Sequence, residues 1–558
     1  MRLRPGNADP FELLVLVALM LVSVWVVGLD LWRAAAHGQV WTGADGIYGI
    51  DQYQYMAWVR AASQHVLVSN LFVLRATPAD YLQPAIVVSG GLTALGLAPW
   101  LALLIWKPVA VIALFAAVRA HIRRSLGDPA IPVGEAAAAA SATTAGEAAA
   151  ASTTPAGEAA AAASAPPTSP AGGVWPTRAA LALALFFGSF TILYGSVGTI
   201  GDMFPGFLAW GYPFALLALA AMVAGVLVYA RARARGVISW WPGVLGAVAG
   251  LLHPWHGALL IGVVLGAETV LLKARRPRLP QLALAALTVA LSMAPLVYYV
   301  LLGRIDPDWG MAKAASKHAF PFGAAALELA PLLICALPAY RRRPRDFLAA
   351  VNLVWPPVAF ALFGLSTTGL AATPLHALQG ITLPLSVLAV GGAQPVLRRL
   401  PHPLLWGAAL VAAFTIPGTL WQLQNAQRTV RPRAGDANFI TRDERHALDY
   451  LARDPRPGGV LSRLYLGQLV PATTGRRTFV GDCLWSQPDC SDRQVAVVDL
   501  FTGRLPPTAA RAFVRAQPAR FLLADCRPTA DLTRLLGRLV RSVHRFGCAT
   551  VYEVAGGS

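Results

Sequence analysis

Charged residues are scarce in this chain of 558 residues. Asp, Glu, Lys and Arg together make up 13% of it, about half of the roughly 25% that is usual in a soluble domain. Lysine is rarer still, because four of the 46 cationic residues are Lys and the others are Arg. With 56% hydrophobic residues, this shortage of charge excludes a disordered chain, a basic nucleic-acid-binding protein and an ordinary cytosolic enzyme. We therefore expect a protein of the lipid bilayer with no nucleic-acid partner.

Long apolar stretches are abundant instead. A helix needs about 20 mostly apolar residues to cross a bilayer. Eleven stretches are predicted to do so: 11–29, 100–120, 178–197, 206–230, 237–252, 256–273, 280–302, 322–340, 346–364, 376–396 and 403–421. The stretch 82–98 is also apolar, but we expect it to be re-entrant or interfacial and packed against protein. These segments predict a mainly α, polytopic membrane helix bundle of about 11 spans.

The net charge of +18 is explained by the loops that carry the cations. Five clusters of Arg and Lys lie between predicted spans, and all five are cytoplasmic if Arg2 and Arg4 are, which is the usual bias of membrane proteins. The N-terminus is therefore predicted to be cytoplasmic in a multi-pass protein of the cell membrane. An Ala-rich, low-complexity stretch makes the segment 125–177 a predicted flexible cytoplasmic linker.

The composition becomes polar after residue 421. We expect a transmembrane domain over 1–421 and a small extracytoplasmic α/β domain over 422–558. Within the latter, Asp443–Leu451 is predicted to be a helix capped by Thr441. The short apolar fragments Val495–Leu500 and Phe521–Ala524 are predicted to be strands, and the segment 471–482 a strand–turn–strand.

Four of the five cysteines lie in this terminal domain: Cys483, Cys490, Cys526 and Cys548. Four cysteines allow three pairings, and the short separations favour Cys483–Cys490 with Cys526–Cys548. Disulfides persist in oxidising compartments, which agrees with an extracytoplasmic domain. A zinc site is the weaker interpretation, because there is no CxxC pair and no His at zinc spacing.

The first predicted outer loop, residues 30–80, is the main candidate for chemistry. Asp51, Tyr55 and His65 follow one another near helical spacing. Asp51 has two interpretations, as the N-cap of a helix or as a catalytic carboxylate. Asp45 stands between glycines, where Asp also favours a turn.

The residues Asp51, Gln52 and Tyr55 in this loop resemble the motif of the GT-C superfamily, although Gln52 stands where many relatives have Glu. The resemblance extends to the layout of many spans, an acidic first outer loop and an outer C-terminal domain. It implies a glycosyltransferase that moves a sugar from a polyprenyl-phosphate donor to a cell-envelope glycan, lipid or protein.

The chemistry of inverting sugar transfer by direct displacement suits these residue types. A carboxylate must accept the proton of the acceptor hydroxyl, and the leaving phosphate needs cations or a metal. We predict Asp51 as the general base and Asp45 as a second carboxylate that positions the acceptor or a divalent metal such as Mg²⁺ or Mn²⁺. If a metal binds, its predicted ligands are Asp51, Asp45 and Asp202.

Lys107 is a further candidate, because an ionisable residue inside an apolar stretch is a functional candidate. It is predicted either to bind the donor's lipid phosphate or to extend to the membrane surface.

The predicted outer loops hold other candidates for donor or substrate binding. His253 and His256 flank Trp255 at an outer turn, where they are predicted to bind donor phosphate or sugar, or else to form an ordinary polar turn. On two further loops, Asp202 is predicted to be a second acid of the site or an ordinary loop carboxylate, and Arg304 to bind phosphate or to lie in a solvated loop.

Two other functions remain open at this point. A transporter or flippase of a lipid-linked substrate commonly has internal repeats and polar residues at mid-membrane, whereas this sequence has no evident inverted repeat. A non-catalytic membrane assembly protein that displays its terminal domain is the third alternative.

Overall fold

A computed structural model describes residues 9–45, 49–126, 171–188, 203–272, 278–317, 320–370 and 373–555. Most of the predicted linker 125–177, and Asp202, lie outside these ranges. Helices dominate the described residues, so the predicted mainly α class is confirmed.

Eight of the described helices are long and apolar enough to cross a membrane: Pro10–Ala36, Pro99–Leu126, Pro213–Arg235, Pro254–Leu272, Leu279–Ile305, Phe322–Arg341, Phe347–Thr368 and Pro403–Thr429. Four apolar helices are shorter: Pro84–Ala94, Val174–Phe186, Trp241–Leu252 and Thr382–Leu397. Each of the eleven predicted spans overlaps one of these helices. The chain is a multi-pass membrane protein, and the number of crossings stays a prediction.

The apolar segment 82–98 contains the helix Pro84–Ala94, of 11 residues. At 1.5 Å per residue this helix is about 17 Å long, well short of the roughly 30 Å hydrocarbon core. Its length agrees with a segment that does not cross.

The remaining elements lie in loops and in the C-terminal region. The other helices are Gly49–Ala62, Pro205–Gly211, Pro307–Ala315, Arg442–Arg453, Leu464–Thr474, Cys490–Thr502, Pro507–Arg515 and Leu532–Leu536. The strands are β1 (Val40–Trp41), β2 (Phe439–Ile440), β3 (Gly459–Ser462), β4 (Ala519–Ala524), β5 (Val540–Phe546) and β6 (Ala549–Val554).

The C-terminal region is a small α/β unit, as predicted. Its sheet has the order β3-β4-β6-β5, with β3 and β4 parallel and the other pairs antiparallel. Thr441 caps the helix Arg442–Arg453 in a capping box with Glu444. The helix Pro403–Thr429 runs past the predicted domain boundary at residue 421.

Two local predictions in this unit are wrong. Val495–Leu500 belongs to the helix Cys490–Thr502, because Val497, Leu500 and Phe501 bury one helical face. The segment 471–482 begins inside the helix Leu464–Thr474 rather than in a strand.

Covalent and backbone links hold the outer elements together. The disulfides are Cys483–Cys490 and Cys526–Cys548, with Cα–Cα distances of 5.3 and 4.8 Å, which confirms the predicted pairing. The strand β1 pairs antiparallel with β2, Val40 opposite Ile440 and Trp41 opposite Phe439. This pairing fixes the first predicted outer loop to the start of the C-terminal unit.

Candidate functional site

The helix Gly49–Ala62, here called the site helix, lies in the first predicted outer loop and carries Asp51 in its first turn. An acidic side chain is favoured there by the helix dipole. The phenol of Tyr212 donates a hydrogen bond to a carboxylate oxygen of Asp51. Tyr212 immediately precedes the apolar helix Pro213–Arg235, so the membrane bundle orients the Asp51 carboxylate.

Lys107 and Asp45 form a buried ion pair beside the site helix. The Lys107 ammonium lies 2.6 Å from a carboxylate oxygen of Asp45 and also donates to the carbonyl oxygens of Ser23 and Trp210. Lys107 is 3% exposed and Asp45 is fully buried. Since these acceptors satisfy the ammonium, Lys107 neither reaches the membrane surface nor offers a vacant charge to a lipid phosphate, contrary to prediction.

Gln52 is the second residue of the predicted motif, and it links the same elements. Its side-chain oxygen accepts the backbone N–H of Asp45 at 2.9 Å, and its amide nitrogen donates to the Gly211 carbonyl at 3.5 Å. Gln52 is buried. Gln52 and Asp45 therefore support the start of the site helix from which Asp51 projects, and neither lines the cavity at Asp51.

A polar cavity of about 630 Å³ opens at Asp51. It lies between the first turn of the site helix, the segment 433–438 and the helix Leu464–Thr474. Its polar lining includes Asp51, Tyr53, Arg433, Asp436, Asn438 and Gln468. We call it the polar cavity.

A second cavity, of about 540 Å³, begins one helical turn further along at Tyr55. Tyr299, Trp255, Trp309 and Trp485 give it an aromatic lining, and His253, His376 and Lys313 add polar groups. The ring centroid of Trp309 lies 4.5 Å from that of Trp485. We call this the aromatic cavity. The structure thus brings Tyr55, His253 and Trp255 to one cavity; their predicted binding of donor or substrate stays a prediction.

Three histidines meet at the wall of the aromatic cavity. The Nδ1 atoms of His253 and His256 are 3.1 Å apart, so one ring donates to the other. The ring centroid of His376 lies 4.9 Å from that of His253. His256 is buried behind His253 and supports it.

Two predicted site residues lie elsewhere. The site helix ends at Ala62, so His65 falls beyond it and is exposed. Arg304 is exposed in the last turn of the helix Leu279–Ile305 and lines neither cavity.

Asp482, in the C-terminal unit, lines neither cavity but is a buried carboxyl that the sequence did not indicate. It is 3% exposed, and one of its carboxylate oxygens has no hydrogen-bond partner among the described residues. Burial, and secondarily the charge of Asp51, raise the pKa of Asp482 to about 7. Its position next to Cys483 could have indicated it in the sequence. The Cys483–Cys490 disulfide closes the adjacent loop, which brings Trp485 to the aromatic cavity.

The described residues do not assemble the predicted metal site. Asp45 is neutralised by Lys107, and Asp202 lies outside the described ranges. One described group of three ligand-type side chains, Asp443 with Cys526 and Cys548, is close enough to hold an ion. Its two cysteines are joined in a disulfide, so it offers no thiolates to a metal.

Comparisons with known proteins identify the fold. No protein-family model and no curated protein sequence matches the chain. The oligosaccharyltransferase of Archaeoglobus fulgidus in its apo form matches with a TM-score of 0.52 at 12% identity, over 95% of this chain and 73% of that one. The same archaeal enzyme, AglB, has been solved with an inhibitory peptide and a dolichol-phosphate (TM-score 0.52, 12% identity, 93% and 69% covered).

The arabinofuranosyltransferase AftD from Mycobacteria matches with a TM-score of 0.50 at 13% identity, over 99% of this chain and 42% of that one. These neighbours are GT-C glycosyltransferases, so the chain has a GT-C-like fold. At 12–13% identity the likeness concerns the fold alone.

Proposed function

We propose that this protein is an integral-membrane glycosyltransferase that moves a sugar from a polyprenyl-phosphate donor to an extracytoplasmic acceptor. One observation carries the proposal above all: Asp51 projects from the site helix into a polar cavity, and an aromatic cavity begins one turn away on the same helix. The GT-C-like fold supports the same reaction class.

In this proposal Asp51 is the general base of an inverting displacement. The acceptor hydroxyl enters the polar cavity, its oxygen attacks the anomeric carbon, and Asp51 accepts the proton as the new C–O bond forms. The bond between the anomeric carbon and the phosphate oxygen breaks on the opposite face, and the phosphate leaves on its lipid. The hydrogen bond from Tyr212 orients the base.

The donor occupies the aromatic cavity in this proposal. Aromatic rings such as Trp309 and Trp485 can pack against the apolar face of a sugar. Lys313 and the histidines His253 and His376 line the same cavity, where they can offset the charge that develops on the leaving phosphate. The apolar lining from the helix Leu279–Ile305 leads the lipid tail toward the bilayer.

The acceptor, a cell-envelope glycan, lipid or protein, is assigned to the polar cavity. That cavity lies partly in the proposed outer domain, residues 422–558. Arg119 and Arg123 bind Glu12, near the end of the first helix that lies away from Asp51. With these cations in the cytoplasm, both cavities face the extracytoplasmic side.

We assign no step to a metal ion, since the described residues do not form the predicted carboxylate site. The archaeal neighbour has been solved as a complex with Zn and sulfate. A divalent ion such as Mg²⁺ or Mn²⁺ stays a prediction for this chain.

The experiment that tests the base is Asp51→Asn in the full-length protein, assayed with a polyprenyl-phosphate sugar donor. We expect kcat to fall by about 10²- to 10⁴-fold, with an unchanged elution profile and thermal midpoint. Asp436→Asn is the matched control, because Asp436 lines the same cavity and has no role in the proposed displacement. Transfer at the wild-type rate by the Asp51→Asn variant contradicts the assignment. Flipping or uptake in proteoliposomes without any sugar transfer would instead support the transporter alternative.

A further inference from the structure

A third cavity lies far from Asp51, between four helices of the membrane bundle. Its volume is about 340 Å³. The helices Ala171–Phe186, Phe322–Ala336, Thr382–Leu397 and Pro403–Thr429 form its walls, so we call it the four-helix groove.

Two close helix contacts frame the four-helix groove. Gly392 packs so tightly against the Cys335 carbonyl that a Cβ there would collide with it. A Cβ at Gly407 would approach the Trp175 ring to 2.9 Å. Small residues, including Ala393, leave the space between these contacts open.

The groove is apolar along its length and basic at one end. Its lining is almost entirely hydrophobic except for Gln394 and Arg398. Arg398 is exposed and makes no ion pair with a described residue. Arg399 and the cluster Arg341–Arg343 are nearby in the same end of the bundle, since the turn Leu337–Arg341 packs on the helix Thr382–Leu397. Trp175 lines the groove as well, and Trp is typical of membrane–water interfaces.

This end of the bundle lies opposite to the end that holds the polar and aromatic cavities. The helix Pro403–Thr429 leads into the outer domain at Thr429, and Leu404 of the groove is roughly 38 Å away along that helix at 1.5 Å per residue. Arg178, next to Trp175, binds Asp9 at the start of the first helix. The groove is therefore at the end of the bundle that holds the chain's N-terminus.

The groove is also open to lipid. The helix Pro403–Thr429 lies at the periphery of the bundle, with Leu404 52% and Leu410 45% exposed. A basic pocket between helices on the cytoplasmic side has the chemistry to bind anionic lipid head groups.

We propose that the four-helix groove binds one acyl chain of an anionic phospholipid from the cytoplasmic leaflet, with the lipid phosphate on Arg398. Apolar contact along the groove provides affinity. The exposed guanidinium of Arg398 binds the lipid phosphate and favours a phospholipid whose head group carries a net negative charge. This site is independent of the sugar-transfer reaction.

The test uses the delipidated full-length protein in detergent and measures lipid retention by native mass spectrometry. We expect one phosphatidylglycerol to bind per protein, more tightly than phosphatidylcholine. Arg398→Gln should weaken phosphatidylglycerol binding by about tenfold or more, as for the loss of a charge-assisted hydrogen bond. Arg399→Gln is the matched control, because it removes the same charge from the neighbouring position outside the groove.

A second variant fills the groove. Ala393→Trp should abolish phosphatidylglycerol retention while leaving sugar transfer and the elution profile intact. Equal weakening by Arg398→Gln and Arg399→Gln, equal binding of phosphatidylcholine, or retention by a folded Ala393→Trp protein would each overturn the proposal. Displacement of phosphatidylglycerol by an equimolar polyprenyl phosphate would assign the groove to another lipid and overturn it as well.

Discussion

The polar and aromatic cavities share one helix and differ in almost everything else. Asp51 opens to a cavity lined by Arg433, Asp436 and Asn438. Tyr55, one turn later, opens to a cavity lined by Trp and Tyr side chains and reaching the membrane helices. The difference is chemically informative: in the proposed reaction the hydroxyl group of the acceptor suits the first cavity, and an amphipathic, lipid-linked sugar suits the second. Both cavities begin on the same 14-residue helix.

The largest expected loss of stability follows from breaking the buried ion pair between Lys107 and Asp45. Lys107→Met leaves Asp45 buried without its counter-ion, which costs about 3–5 kcal/mol. We expect the thermal midpoint of the purified protein to fall sharply and both substrate sites to be lost together. The double variant Lys107→Met/Asp45→Asn should recover much of the stability. An unchanged midpoint in the single variant contradicts the proposed scaffold.

Asp482, buried in the C-terminal unit, makes the stability of the protein depend on pH. Its pKa is raised to about 7 from about 3.8 in the unfolded chain, so between pH 4 and 7 the unfolded chain releases a proton that the folded protein keeps. Stability therefore falls as pH rises through this window, by at most about 4 kcal/mol at 1.36 kcal/mol per pKa unit.

Asp482→Asn removes this dependence. We expect the midpoint of the variant to rise relative to wild type from pH 4 to 7 and to stay level above pH 7. In an Asp51→Asn background the difference should shrink, because the Asp51 charge contributes to the shift. Parallel pH curves for wild type and Asp482→Asn would show that this carboxyl is not buried as described.

The two disulfides offer a matched pair of changes. Opening either one costs about 2–4 kcal/mol of stability. Cys483→Ser/Cys490→Ser should also lower kcat/KM about tenfold, because that bridge closes the loop carrying Trp485, which lines the aromatic cavity. Cys526→Ser/Cys548→Ser, whose cysteines line neither cavity, should lower the midpoint with less than a twofold change in kcat/KM. Similar losses of activity in both variants would contradict the proposed link between the Cys483–Cys490 loop and the aromatic cavity.

The smallest expected effects sharpen the assignment of substrates. Lys313→Gln should raise the KM of the donor about tenfold, as expected for one exposed charge on a phosphate, with little change for the acceptor. Arg433→Gln should raise the KM of the acceptor about tenfold, with little change in the KM of the donor. Steady-state kinetics with each substrate varied in turn distinguishes the two patterns. If Lys313→Gln raised the KM of the acceptor and Arg433→Gln that of the donor, the proposed roles of the two cavities would be reversed.

The helical bundle was predictable because hydropathy is a local property, and each of the eleven predicted spans overlaps a helix. The site was only partly predictable, since its contacts are distant in sequence. Lys107 was recognisable as unusual, but its partner Asp45 is 62 residues away. Tyr212 reaches Asp51 from another element, and the charge of Asp51 acts on the distant-in-sequence Asp482; no spacing in the segment 30–80 indicates either residue. His65 was misplaced because helical spacing alone does not indicate where the site helix ends.

The pairing of β1 with β2 constrains how this protein is made. Val40 finds its partner Ile440 only after about 400 more residues have been synthesised. At roughly 5–20 residues per second, the first outer loop waits on the order of 20–80 s for the strand that completes it. During that interval an unpaired strand edge is exposed. Biogenesis therefore depends on protecting one short loop until the last quarter of the chain emerges.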